Sequence, residues 1–131
     1  MVDRTFAEAF AAEWIAAWNA HDLERILSHY ADDFEMRSPF IVQRMGEPSG
    51  RLCGKAAMRA YWGPALAEGS LHFTLEDVLV GVDALTILYR RHDGGRVAET
   101  IEFDAARHAV RAAAHYGPRQ ADAPRGTTRT S

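Results

Sequence analysis

The segment VAETIEFD, residues 97–104, decides the interpretation of this chain. Val97, Ile101 and Phe103 lie in phase with Glu99 at every second position, which is the spacing of a β-strand with one buried face. In that register the carboxyl group of Glu99 points to the apolar side of a sheet. Because an unpaired buried charge is costly, the segment predicts a Glu99 that is either protonated or paired inside the protein.

Two registers are open for the hairpin that leads into this segment. A two-residue turn at Gly94-Gly95 places Arg90 opposite Glu99 and forms an ion pair. A three-residue loop places Tyr89 there instead and forms a polar pair that is able to serve a substrate. The apolar residues that share the phase of Tyr89, namely Leu85 and Ile87, favour the second register.

Period-two patterns also surround the segment. They predict strands over residues 71–82, with a bulge near Glu76-Asp77, over 85–91 and over 108–116. A further short strand is predicted over residues 34–38. Residues 39–54 are interpreted as a loop, and their apolar content indicates a flap over a pocket.

The first half of the chain has helical periodicity. Aromatic residues recur every four positions within residues 4–19 and predict an amphipathic helix. A second helix is predicted to begin at the N-cap Asp22 and to end at Asp32-Asp33, and a third covers residues 55–67. Helices followed by antiparallel strands, without internal repeats, predict one α+β domain over residues 1–117 and a polar tail over 118–131.

Composition excludes several classes of function. A net charge of −3 gives no basis for binding nucleic acid, and no apolar run is long enough to span a membrane. The N-terminus lacks the pattern of a secretory signal, so a cytoplasmic protein is expected. Cys53 is the only cysteine and the six histidines show no ligand spacing, so neither a metal nor another cofactor is expected.

Several motifs resemble the nuclear transport factor 2-like superfamily, which includes SnoaL-like proteins and ketosteroid isomerases. WNAHDL (18–23) and YADDF (30–34) are similar to its first two helices, and GKAAM (54–58) to the start of its third. His115-Tyr116 resembles the end of its closing hairpin, so the resemblance covers residues 5–117. It implies a cone-like barrel of three N-terminal helices against a strongly curved, mostly antiparallel sheet that encloses a pocket. It also implies a homodimer formed through the outer sheet face.

The polar set of the isomerases is mostly replaced. Their general-base aspartate corresponds to Ser38, whose hydroxyl is not a base near neutrality. Their helical tyrosine corresponds to Trp14, whose indole N–H only donates. Their oxyanion-hole acid corresponds to Glu99, the one carboxyl of the set that is retained. Because the general base is missing, steroid-type isomerisation is not expected.

The candidate site follows from these two arguments. The catalytic candidates are Glu99, Tyr89 and Tyr116. Tyr116 is included because it shares the phase of the small residues Ala112 and Ala114. Those alanines either leave volume for a cavity or let a helix pack closely. The predicted ligand-binding residues are Trp14, Trp18, Ser38, Phe40, Met58, Trp62, Ile101, Ala112 and Ala114.

Two functions remain open. The first is a pocket for a small aromatic or polycyclic molecule, with lyase, isomerase or cyclase chemistry that needs no strong base. The second is a non-catalytic ligand-binding or dimerisation module with a vestigial pocket. An open cavity at Glu99 favours the first function. A core filled by Trp14, Met36, Met58 and Phe103, with Glu99 paired to Arg90, favours the second.

Overall fold

The computed structural model describes residues 1–118 as a single curved sheet with helices packed on one face. The helices in this range are α1 (Arg4–Asn19), α2 (Leu23–Leu27), α3 (Pro39–Met45) and α4 (Lys55–Glu68). The strands are β1 (Tyr30–Arg37), β2 (Arg51–Cys53), β3 (Phe73–Val80), β4 (Ala84–Arg91), β5 (Arg96–Phe103) and β6 (Ala109–Tyr116). They lie in the order β2-β1-β6-β5-β4-β3, and the sheet does not close. The predicted α+β class is confirmed.

The sheet is antiparallel except where β1 pairs with β6 in parallel. β6 therefore lies between the first strand and β5, and it joins the antiparallel pair of β1 and β2 to the β3–β4–β5 meander. The predicted bulge in β3 is confirmed, because the pairing with β4 shifts between Leu75 and Asp77.

Helix α1 has the predicted bounds, and it is held at both ends. Asp3 caps its N-terminus by accepting a hydrogen bond from the backbone N–H of Phe6. At the C-terminus, the Asn19 side chain donates to the backbone carbonyl of Phe73 and accepts from its N–H. The helix thus packs against β3 at a defined position, with Phe10, Trp14 and Trp18 buried.

The prediction for the second helix is wrong at its C-terminal end. Helix α2 ends at Leu27, and Tyr30 already belongs to β1, where it pairs with Ala109. Asp32 and Asp33 are exposed within that strand and cap no helix. Tyr30 fits a helical face by local spacing, but its pairing with a strand far along the chain determines its conformation.

The interpretation of residues 39–54 as a loop is also wrong. Ser38 accepts a hydrogen bond from the N–H of Phe40 and caps α3, whose first residue is Pro39. A serine N-cap followed by proline is a common helix start. Gly46, with φ of 66°, ends this helix in the left-handed conformation that glycine tolerates. Residues 51–53 then form β2 on the edge of β1.

Neither predicted hairpin register is observed. Glu99 pairs with Ile87 on β4 and with Ala114 on β6. The backbone N–H of Gly94 donates to the carbonyl of Arg91, and Gly94 takes the positive φ of 86°. The partner of Glu99 is therefore two residues from the one that the three-residue loop predicts and three residues from the one that the two-residue turn predicts.

No helix of residues 1–118 combines the length and the apolar character that a bilayer span requires. Of the predicted tail, residues 119–131 lie outside the described residues.

Candidate functional site

A cavity of about 590 Å³ lies between helices α1, α3 and α4 and the inner face of the sheet. This volume is in the range of pockets that hold small organic ligands. Its inner walls are largely aromatic and buried: Trp14, Trp18, Met36, Tyr61, Trp62, Leu71, Phe73 and Tyr89. Exposed lining residues mark its mouth, among them Arg44, Met45, Glu68, Ser70 and His92.

Glu99 contributes a carboxyl group to the wall of this cavity, and its side chain is 3% exposed. Its Oε1 accepts a hydrogen bond of 3.1 Å from the Tyr89 hydroxyl. Tyr89 is displaced by two residues from the strand partner of Glu99, so the pair is a diagonal cross-strand contact. Burial raises the pKa of Glu99 to about 7, and the hydrogen bond from Tyr89 opposes that rise only in part.

The ion pair between Glu99 and Arg90 does not form. Arg90 lies on the outer face, where its Nε donates to Glu76 Oε2 at 3.1 Å and its Nη1 to the carbonyl of Gly94. Among the described residues, no cation lies within ion-pair distance of Glu99. Its charged form is therefore stabilised by a hydroxyl alone, and the neutral and charged forms have similar populations near neutral pH.

The tyrosines around Glu99 remain protonated near neutrality. Burial, and secondarily the charge of Glu99, raise the pKa of Tyr89, of Tyr116 and of Tyr30 above the usual value. Burial also raises the pKa of Tyr61. The site therefore offers phenol hydroxyls as hydrogen-bond donors rather than as bases.

Ser38 joins two of these phenols. Its Oγ lies 3.3 Å from the Tyr61 hydroxyl and 3.4 Å from the Tyr116 hydroxyl, besides accepting from the N–H of Phe40. These are long hydrogen bonds, and the serine is 4% exposed. Ser38 therefore caps α3 and links the hydroxyl groups of Tyr61 and Tyr116.

The tryptophans differ in what their indole N–H groups contact. Trp14 Nε1 donates to the Tyr30 hydroxyl at 2.8 Å, so this donor is used inside the core. Trp18 Nε1 is buried without a partner among the described residues. Trp18 also packs edge-on against Trp62, with ring centroids 5.1 Å apart. Trp18 thus contributes an aromatic surface to the cavity, and its N–H is a buried donor without a partner in the described residues.

The structure brings seven of the predicted site residues together around the cavity: Glu99, Tyr89, Tyr116, Trp14, Trp18, Phe40 and Trp62. The other five are buried but do not line it, namely Ser38, Met58, Ile101, Ala112 and Ala114. Ile101 and Ala112 pair directly across β5 and β6, and Ala112 pairs with Met36 on its other side. The small residues of β6 therefore permit close packing there.

Tyr61, Arg44 and Arg91 line the cavity but are not among the predicted site residues. Arg91 shares the strand phase of Tyr89, and that alternation is the signal that locates it on the inner face. To locate Arg44 from the sequence, helix α3 must first be predicted, and Ser38-Pro39 is the signal for the start of that helix. No group of three histidine, cysteine, aspartate or glutamate side chains suited to a metal ion occurs in the described part of the chain.

The chain belongs to the SnoaL-like domain family, whose model matches residues 11–120. The nuclear transport factor 2-like resemblance is thereby confirmed. A SnoaL-like protein of unknown function from Burkholderia thailandensis is 52% identical, with a TM-score of 0.86 over 88% of this chain and 98% of that one.

More distant structures share the fold. A protein with a cystatin-like fold from Methylobium petroleophilum is 18% identical, with a TM-score of 0.71 over 98% of this chain and 84% of that one. A SnoaL-like protein from Agrobacterium tumefaciens, for which an isomerase activity has been suggested, is 13% identical, with a TM-score of 0.67 over 86% and 98%. A sequence comparison with curated proteins gives no match.

Proposed function

We propose that this protein binds a small planar molecule and catalyses a lyase, isomerase or cyclase reaction in which Glu99 transfers a proton. The observation that carries the proposal is a carboxyl group 3% exposed on the wall of a cavity of about 590 Å³, with a phenol as its hydrogen-bond partner. A buried glutamate with a purely structural role is usually ion-paired, whereas Glu99 has no cationic partner in the described residues and borders a cavity of ligand size.

The pKa of Glu99 suits proton transfer in either direction. With a value of about 7, the carboxyl exchanges its proton readily near neutral pH, where general acid–base catalysis is most efficient. Tyr89 holds Oε1, so Oε2 is the oxygen left for a ligand. The protonated form is able to donate to a substrate carbonyl, and the ionised form is able to remove a proton from the adjacent carbon. One group then performs both steps, in place of the separate base that Ser38 does not supply.

The walls favour a flat apolar body. Trp18, Trp62 and Phe73 surround the inner cavity, and aromatic rings pack well against planar ligands. Because Glu99 also lies on the wall, a ligand needs one hydrogen-bond acceptor beside its apolar body. A ring system that carries a carbonyl group meets both requirements.

A thermal-shift screen of planar aromatic ketones tests binding. We expect at least one to raise the melting temperature, because a ligand at a hundredfold excess over Kd stabilises the folded state by about 2.7 kcal/mol. In Glu99→Gln the affinity for that ketone is expected to fall by up to about tenfold, since an amide N–H is a weaker donor than a carboxylic acid.

Glu102→Gln is the matched control, because Glu102 lies on the same strand and pairs with Arg111 on the outer face. It is expected to bind like the wild type. A screen in which no planar ketone stabilises the wild type would remove the proposal.

The second candidate function, that of a dimerisation module, is favoured by the outer sheet face. Leu88, Ala98 and His115 lie side by side across β4, β5 and β6, opposite in phase to Glu99. Together with neighbouring residues they line a depression of about 700 Å³. Two apolar residues and a histidine in the middle of a sheet, bordered by Glu76, Arg90 and Arg96, form a mixed surface of the kind that a second copy of the chain is able to cover.

Light scattering tests this candidate. The wild type is expected to have twice the chain mass of 14.6 kDa, and Leu88→Glu is expected to return it to the monomer mass, since a charge at the interface is costly to bury. A wild type of monomer mass contradicts the dimer.

A further inference from the structure

The geometry points to an anion-binding subsite at the mouth of the cavity. It is formed by Arg44 of α3 and Arg91 of β4, which both lie beside the ring of Phe40. The ligand would then be a planar aromatic carboxylate whose acid group stays at the mouth. This inference rests on the proposed function, because it names the class of molecule that the same cavity takes.

Two guanidinium groups share one aromatic ring at this position. The Cζ atom of Arg44 lies 4.6 Å from the centroid of the Phe40 ring, and that of Arg91 lies 5.1 Å from it. The Phe40 ring also stacks on Tyr116, with centroids 4.3 Å apart. The π-system of Phe40 attracts each cation, but the two like charges repel one another. An anion between them relieves that repulsion.

Neither arginine is fully paired. Within residues 1–118, Arg44 makes no ion pair and no hydrogen bond, although it lines the cavity. Arg91 is more buried than Arg44, and its side chain is 15% exposed. Its Nε is buried and forms an ion pair with Asp93 Oδ2 at 3.6 Å, but it has no hydrogen-bond partner in the same residues. Guanidinium groups with free N–H donors bind carboxylates through paired hydrogen bonds.

The acidic groups nearby do not complete this pairing. Glu68 also borders the mouth, but its carboxylate already accepts hydrogen bonds from the backbone N–H and the hydroxyl of Ser70. Asp93 accepts a hydrogen bond from the N–H of Gly95 within its own turn. A carboxylate at the mouth is also kept away from Glu99, which lies on the inner wall and would repel it when ionised. The charges therefore orient the ligand, with its acid outward and its carbonyl inward.

Binding of 2-naphthoate and of its neutral isostere 2-naphthamide tests the subsite, with tryptophan fluorescence or calorimetry as the readout. The wild type is expected to bind the carboxylate roughly tenfold more tightly, as for a charge-assisted pair of hydrogen bonds. Arg44→Gln, Arg91→Gln and the double variant are expected to remove this preference, because they lower the affinity for 2-naphthoate more than the affinity for 2-naphthamide. Arg44 is exposed, so its substitution keeps the test valid even if Arg91→Gln folds poorly.

Arg107→Gln is the matched control, because Arg107 has the same arrangement over Phe6, at 4.3 Å, away from the cavity. It is expected to keep the preference. Equal binding of both compounds by the wild type, or a preference that survives the double substitution, overturns the subsite and leaves the proposed function intact. Binding of neither compound overturns the subsite, whereas the proposed function is overturned by the failure of the planar ketones in the thermal-shift screen.

Discussion

Replacing Glu99 with glutamine is expected to stabilise the protein at about pH 8 and to change its stability little below pH 4.5. Burial raises the pKa of Glu99 from 4.5 in the unfolded chain to about 7 in the folded protein. Between these values the folded state binds more protons than the unfolded state, so the contribution of Glu99 to stability falls as the pH rises. Above pH 7 the full penalty for the buried charge is present.

The size of this effect follows from the shift. A pKa raised from 4.5 to about 7 corresponds to a free energy of about 3 kcal/mol. Glutamine keeps the shape of the side chain and an oxygen that accepts from Tyr89, and it carries no charge. In a domain of this size the gain amounts to a rise in melting temperature on the order of 10 °C at about pH 8.

Melting curves of the wild type and the variant between about pH 4 and pH 8 measure this difference directly. Glu102→Gln again serves as the control, because its partner Arg111 lies on the outer face, and no comparable rise above neutral pH is expected from it. A difference between wild type and Glu99→Gln that does not grow with pH would show that Glu99 is not a buried acid.

Truncating Trp14 to alanine is expected to cost about 3–5 kcal/mol, much of the total stability of an ordinary domain. Trp14 is 1% exposed and contacts Trp18, Phe73 and Tyr89. Its indole also supplies the hydrogen bond to the buried hydroxyl of Tyr30, which is left without that donor. Urea denaturation at low temperature, followed by circular dichroism, measures the loss.

Trp14→Phe separates the two contributions. It keeps an aromatic ring in the same space and removes the indole N–H, so a smaller loss of about 1–2 kcal/mol is expected. The double variant Trp14→Phe with Tyr30→Phe is expected to cost little more than either single change, because both partners of one hydrogen bond are removed. An alanine variant within about 1 kcal/mol of the wild type would contradict the packing described for α1.

The local patterns of the chain predict most of the elements. Alternation alone locates Glu99 on the buried face, because each residue of β5 that shares its phase is apolar. The bounds of α1 follow from the aromatic residues at every fourth position. These features depend on neighbours within a few residues, which is the range over which helical and strand periodicities operate.

What escapes prediction depends on contacts between distant residues. Gly94 and Gly95 are equally able to take a positive φ, and that choice sets the register opposite Glu99. Tyr30 fits either a helix or a strand until its pairing with Ala109 is known. The alanines of β6 suit both a cavity and a tight contact, and only the positions of their neighbours decide between them.

The insertion of β6 between β1 and β5 has a consequence for how the chain folds. The pair of β1 and β2 and the β3–β4–β5 meander are each built from strands close in sequence, so each is able to form early. The two halves join only through the last strand, which must close the longest loop in the sheet. During synthesis, the cavity therefore remains unassembled until Tyr116 has left the ribosome, and this step is expected to be the slow phase of folding.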